Sequence, residues 1–213
     1  MKAEKTAELL LEHHKDTYQH ILYHWRLRNR LFVLVLILLA LMSLDTYSPE
    51  FLPGLANAYI HRTLGNQVQV DFSVIGSLAW FLLVSLVIQY YQRSIHVTRH
   101  YFYLAEIERM LCEQMGGPFI TREGLSYYSQ RGTPEVTEET VDRRPLFMRM
   151  VAPLYTYFFP FMLILLVVVK LIRESLNFDK ATDWFNLIMG VVIILYTLLY
   201  VHWVIWGQKA EQK

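Results

Sequence analysis

Residues 72–91 read FSVIGSLAWFLLVSLVIQYY. No charged side chain interrupts them. At about 1.5 Å of rise per residue they make a helix about 30 Å long, the thickness of the hydrocarbon core of a bilayer. Three similar windows flank this one. Leu31 to Leu44 is apolar but for Ser43, with Arg28 and Arg30 placed to snorkel at its start and Thr46-Tyr47 to finish it. Val151 to Val169 is bracketed by Arg149 and Lys170, and Trp184 to Trp206 carries tryptophans at both ends, as an interfacial belt requires. The pattern predicts an all-α integral membrane protein with four transmembrane helices. Composition agrees, since 54% of the 213 residues are hydrophobic and only 18% are charged, against roughly 25% charged in soluble domains. A soluble enzyme and a disordered chain are both excluded. The net charge of +1 argues against a nucleic-acid coat over the whole chain, and Cys112, the single cysteine, has no partner for an internal disulfide.

Orientation follows from the positive charges. Residues 1–30 hold six Lys and Arg, the loop 45–71 holds only Arg62, and the loop 92–150 holds eight. The N-terminus and the 92–150 loop are therefore expected inside, and four spans return the C-terminal tail, 207–213, to the same side. The first span has about thirty residues before it and lacks a small-residue cleavage site, so it reads as a retained signal anchor. The expected location is a membrane crossed several times, with both termini on the cytosolic side.

Outside the bilayer, residues 1–30 read as a cytosolic amphipathic helix, with Ala3, Ala7, Leu10, His14, Tyr18, Ile21 and Trp25 recurring at spacings of three and four. Such a stripe lies on the inner leaflet or packs on another helix. The first hairpin is 31–91. Its outer loop, 45–71, holds Pro49 and Pro53 and a weakly amphipathic run. From Phe72 to Met115 only Gly76 interrupts the helix formers, so the second span is expected to continue as a cytosolic helix until Gly116-Gly117-Pro118 stops it. Val97, Tyr101, Leu104, Leu111 and Met115 give that extension an apolar stripe. The rest of the 92–150 segment reads as an irregular lobe with one short helix near Glu123 to Ser129, followed by the second hairpin, 151–206. Pro153 and Pro160 predict a kink in the third span.

Two His-x-x-x-His pairs stand out, His20 with His24 and His96 with His100. One helical turn separates the members of each pair, so both rings can face one ion, and His13 shares the first face. Membrane di-iron oxygenases use about twice this supply of histidines in tighter clusters, and no acidic partner motif accompanies these pairs. No resident metal or other cofactor is expected. Phosphate-binding, hydrolase and dinucleotide motifs are absent from the sequence, and no catalytic residue is assigned.

Polar residues inside the second span are the stronger signal, because lipid makes them costly. Ser73, Ser77, Ser85 and Gln89 step by multiples of four, which makes a slanting polar row. Ser77, Ser85 and Gln89 are the candidate pore-lining residues, with Phe81 between them as a hydrophobic gate. The alternative use of such a row is close helix packing. In the fourth span Asn186, Thr197 and His202 share no clear face, and the third holds Thr156. All eight positive residues of the 92–150 segment are arginines, the better fork for phosphate or carboxylate. Arg122, Arg143 and Arg144 are the candidate ligand-binding residues for a cytosolic nucleotide or oligonucleotide. Eight acids in the same segment offer internal ion pairs instead.

The layout, with YFYLAEIERML (Tyr101 to Leu111) and ITREGLSYY (Ile120 to Tyr128), resembles small multi-span bacterial antiphage-defence membrane proteins. Over residues 1–128 it is similar to SLATT-type pore-forming effectors. The four-span total with a lobe in mid-chain is similar to the membrane components of Hailong and Kiwa type systems. SLATT proteins have two spans, so the second hairpin departs from that pattern. The resemblance implies a homo-oligomer that opens a pore when a cytosolic signal arrives, depolarising the membrane and aborting infection. The sequence reading is therefore an oligomeric ion channel or pore-forming effector, not an enzyme. Four helices of one chain fill their own bundle and cannot enclose a wide pore, so self-assembly is expected, with a tetramer favoured. The alternatives are a sensor or scaffold that recruits a soluble partner protein, and a membrane-bound histidine-metal enzyme.

Overall fold

A computed structural model describes residues 2–49, 54, 72–117, 154–174 and 181–207, and among them no residue lies in a strand. Four helices carry windows long and apolar enough to cross a membrane. Helix α1 is Lys2–Tyr47, α2 is Phe72–Met115, α3 is Phe159–Glu174 and α4 is Ala181–His202. The chain divides into two compact units, one made of residues 1–30 and 90–147, the other of 31–89 and 148–213.

The expected amphipathic helix and first span are one helix of 46 residues. The sequence between Arg28 and Leu31 contains neither Gly nor Pro, so nothing there breaks the backbone hydrogen bonding. Helix α2 covers the expected 44 residues. Its stop is built as the Gly-Gly pair predicts. Gly116 takes a φ of 71°, and the Gly117 N–H donates 3.1 Å to the Cys112 carbonyl, closing the helix end.

In the first unit, Ile21 of α1 packs against Val97 and Leu104 of α2, with Tyr18 and Tyr101 beside them. The buried face of α1 is turned slightly from the predicted stripe. Thr17 and His24 are buried with Ile21, whereas Trp25 is exposed. On α2 the stripe gains Ile107 and Glu108 and loses Met115 to solvent.

In the second unit, the first and third spans run in the same direction. At one end the Phe32 ring meets Tyr155 and Phe159, with centroids 5.0 and 4.9 Å apart. At the other end Lys170 reaches Asp45, Nζ to Oδ2 3.1 Å. The buried residues of this unit include Val35, Leu39, Trp80, Leu83, Leu163 and Val167. A π-helical turn, Leu154–Phe158, precedes α3. It falls where Pro160 has no N–H to return to the Thr156 carbonyl, so the local irregularity expected of that proline is met by a wider turn.

Helix α4 buries Asn186, Gly190, Ile193 and Thr197 on one face. Asn186 and Thr197 therefore share a face, as a spacing of eleven residues, about three full turns, requires, and His202 is exposed. Gly190 lets α4 approach α3. A Cβ there would lie 2.6 and 2.9 Å from the two Leu171 methyls and 3.0 Å from its Cγ. Leu171 is itself buried, so it cannot swing clear at no cost. Gly190→Ala is expected to lower stability by about 1–3 kcal/mol through overpacking. Adding Leu171→Ala should recover part of that loss. Thermal unfolding of both variants in mild detergent checks this, and a double variant worse than the sum of the singles would contradict it.

Candidate functional site

The predicted pore row is spread around α2. Four residues turn a helix by about 40° beyond a full circle, so the row rotates as it climbs. Ser77 is half-buried, with its Oγ buried and unpartnered. Phe81 is 53% exposed, and Gln89 is exposed. The Ser85 Oγ donates 3.0 Å to the Phe81 carbonyl, the usual way a serine satisfies its hydroxyl inside a span. Ser77 thus belongs to the packed side of α2 and Phe81 to its uncovered side. Arg122, Arg143 and Arg144, together with the helix expected at Glu123 to Ser129, lie outside the described residues.

The most concentrated chemistry lies in the first unit. The four histidines of the two pairs converge there, because α1 and α2 pair antiparallel. His24 meets His96, His20 meets His100, and farther along His13 meets Tyr103. The ring centroids of His24 and His96 are 4.3 Å apart, those of His96 and His100 3.9 Å, and those of His20 and His100 5.3 Å. His20 and His24 approach nitrogen to nitrogen, Nε2 to Nε2 2.8 Å. One ligand nitrogen each from His20, His24 and His96 lies within 4.8 Å of the others, close enough to hold one metal ion.

Hydrogen bonds set which nitrogens are free. Arg93 Nη1 donates 3.0 Å to His24 Nδ1, so the neutral His24 ring carries its proton on Nε2 and donates it to His20. His100 donates from Nδ1 to the His96 carbonyl at 2.9 Å, which leaves its Nε2 as a lone pair. His96 Nε2 is buried and makes no hydrogen bond. Beyond the cluster, His13 Nε2 lies 2.7 Å from the Tyr103 hydroxyl, and His14 Nε2 donates 3.1 Å to the buried Glu108 carboxylate.

Burial, with neighbouring positive charge, favours the neutral form of His24 and His96. Burial, with the charges of His96, Arg93, His20 and His100, lowers His24 from 6.5 to about 4. Burial, with His100, His20 and Arg93, also lowers His96. Between about pH 6.5 and 4 the unfolded chain therefore binds a proton that folded His24 refuses, with His96 acting in the same direction, so the helix pair loses stability as pH falls through that window. Hydrogen exchange, corrected for its intrinsic pH dependence, is expected to show protection at Ile21 and Val97 falling between pH 6.5 and 5. Protection that stays constant across that range would contradict the sign.

Sequence reasoning singled out both histidine pairs but missed their meeting. A usable signal existed. His24 lies seven residues before Leu31 and His96 five residues after Tyr91, nearly matched distances from the ends of two consecutive, antiparallel spans. It also missed the contacts of Arg93 with His24, His14 with Glu108, and Lys170 with Asp45. Comparison with known protein families, with characterised proteins and with solved structures found no match to this chain.

Proposed function

We propose that several copies of this chain assemble in a bacterial inner membrane into an ion-conducting pore that opens on a signal from the cytosol, in the service of antiphage defence. The observation that carries this reading is the uncovered face of α2. Phe81 and Gln89 both lie exposed on the helix whose window is otherwise the most buried of the four spans. A glutamine facing lipid is costly, whereas a second copy or a water-filled lumen gives it partners. Only 17–33% of each apolar window is buried within the chain, which leaves surface for self-assembly. Phe81, about one helical turn from Ser77 and from Ser85, is the apolar constriction that dewets the closed pore. Arg122, Arg143 and Arg144 are the proposed readers of an anionic trigger, since guanidinium forks bind phosphate bidentately.

The test is ion flux across liposomes holding the purified protein, beside a native-size measurement of the same preparation. The reading expects an oligomer and a conductance that a cytosolic trigger raises. A monomer that never conducts would replace it with the scaffold reading.

A further inference from the structure

We propose that the histidines of the first unit form a binding site for a divalent transition-metal ion of the zinc class, drawing ligands from both α1 and α2. This inference is independent of the pore reading. Each His-x-x-x-His pair alone supplies too few ligands to close a site. The antiparallel pairing of α1 and α2 changes the supply, because it brings His20, His24 and His96 to within 4.8 Å of one another and stacks His100 on the same group.

Three features point to an ion rather than to packed rings. First, His96 Nε2 is buried with no hydrogen bond, a polar atom whose desolvation nothing on the protein offsets. Second, His100 donates its Nδ1–H to a backbone carbonyl, the support that orients a ligating imidazole and leaves Nε2 free. Third, the His20 and His24 Nε2 atoms already stand 2.8 Å apart. Nitrogens bound to one tetrahedral zinc at about 2.0–2.1 Å sit roughly 3.3 Å apart, so small rotations of the two rings suffice. His20 is exposed and gives the ion an entry path. An all-imidazole set suits zinc, copper and nickel, and excludes the hard cations that demand oxygen.

Arg93 is the competitor built into the site. It donates to His24 Nδ1. If a metal takes His24 Nε2, the proton there moves to Nδ1 and Arg93 loses its acceptor. If the metal takes Nδ1, it displaces Arg93 directly. In either case binding breaks the Arg93 contact and sets two positive charges close together. Removing Arg93 is therefore expected to tighten binding, an effect that a merely structural role for the histidines does not produce.

The experiment uses untagged full-length protein in nanodiscs, stripped with chelator and titrated with Zn²⁺ by calorimetry and with Co²⁺ by visible absorption. One equivalent of each ion is expected, with the cobalt spectrum reporting nitrogen ligation. His20→Ala, at an exposed position that tolerates truncation, and His96→Ala should each weaken zinc binding at least roughly tenfold. Arg93→Met should tighten it by roughly as much. Circular dichroism confirms that each variant is helical. Absence of a saturable one-equivalent site in the wild type would overturn the proposal, as would binding that survives the His20→Ala/His96→Ala double variant. An Arg93→Met protein that binds zinc no better than wild type would overturn the assignment of His24 as a ligand.

Discussion

Replacing Phe81 by serine is expected to make the membrane leak. Phe81 is 53% exposed on α2, so the substitution opens no cavity in the core of the second unit. In the proposed pore its ring is the apolar constriction. Exchanging a phenyl ring for a hydroxyl removes an apolar surface worth about 1.5–3 kcal/mol on burial, and each 1.36 kcal/mol taken from a barrier is about tenfold in rate. Basal flux through liposomes should rise by roughly tenfold or more, and a host expressing the variant should grow slowly. Gln89→Leu should do the reverse, lowering triggered flux while assembly stays intact. Ser77→Leu separates pore from packing most sharply. Ser77 is half-buried and its Oγ unpartnered, so a leucine there presses on the chain's own bundle. Its effect should be lost stability, whereas that of Gln89→Leu should be lost conductance. Flux and native size measured on all three variants decide the matter. If neither the wild type nor Phe81→Ser conducts under any trigger, the pore reading falls.

The largest expected effect on stability belongs to Asp45→Ala. Lys170 is 6% exposed, and its ammonium is fully engaged, donating 3.1 Å to Asp45 Oδ2, 3.2 Å to Thr46 Oγ1 and 3.3 Å to the Met42 carbonyl. Thr46 also donates to that carbonyl at 2.8 Å, so the end of the first span is organised around the lysine. Removing the carboxylate leaves a buried ammonium without its counter-charge. The usual cost of breaking a buried pair is about 3–5 kcal/mol. The Asp45 side chain is 39% exposed and water screens it, so the lower end of that range applies. Lys170→Met should cost less, since the carboxylate it abandons can turn to solvent. The Asp45→Ala/Lys170→Met double variant should regain most of the loss, because two apolar groups replace the pair and no charge is stranded. A full double-mutant cycle by denaturant titration in mild detergent tests this non-additivity. Strictly additive effects would mean that the pair contributes nothing as a pair.

The two histidine pairs show where local sequence information stops. Periodicity at three and four residues marked both helices, and the spacing of His20 with His24 and of His96 with His100 gave each pair one face. The periodicity of either segment alone does not say which residue of α1 stands opposite which residue of α2; only the matched distances of His24 and His96 from their span ends point to it. That register is a property of the packed pair, set by Ile21 seating against Val97 and Leu104. The same limit applies to Lys170, which reads from sequence as the charged end of an apolar window and is in fact buried against Asp45 from 125 residues earlier.

Hydropathy and backbone chemistry act locally, and what they decide is legible in the order of residues. Four apolar windows, an unbroken run from Phe72 to Met115, a glycine stop at Gly116 and a disturbance of the third apolar helix by its proline all follow from solvation, helix propensity and the missing proline N–H. Which polar groups meet is settled by packing. It joined four histidines and Arg93, gave His14 the buried Glu108, turned Ser77 inward and left Phe81 uncovered. The physical reason is range. Helix formation and membrane partition are sums over neighbouring residues, whereas a binding site depends on the rotation and register of two helices, which are fixed by contacts between residues some seventy or more positions apart.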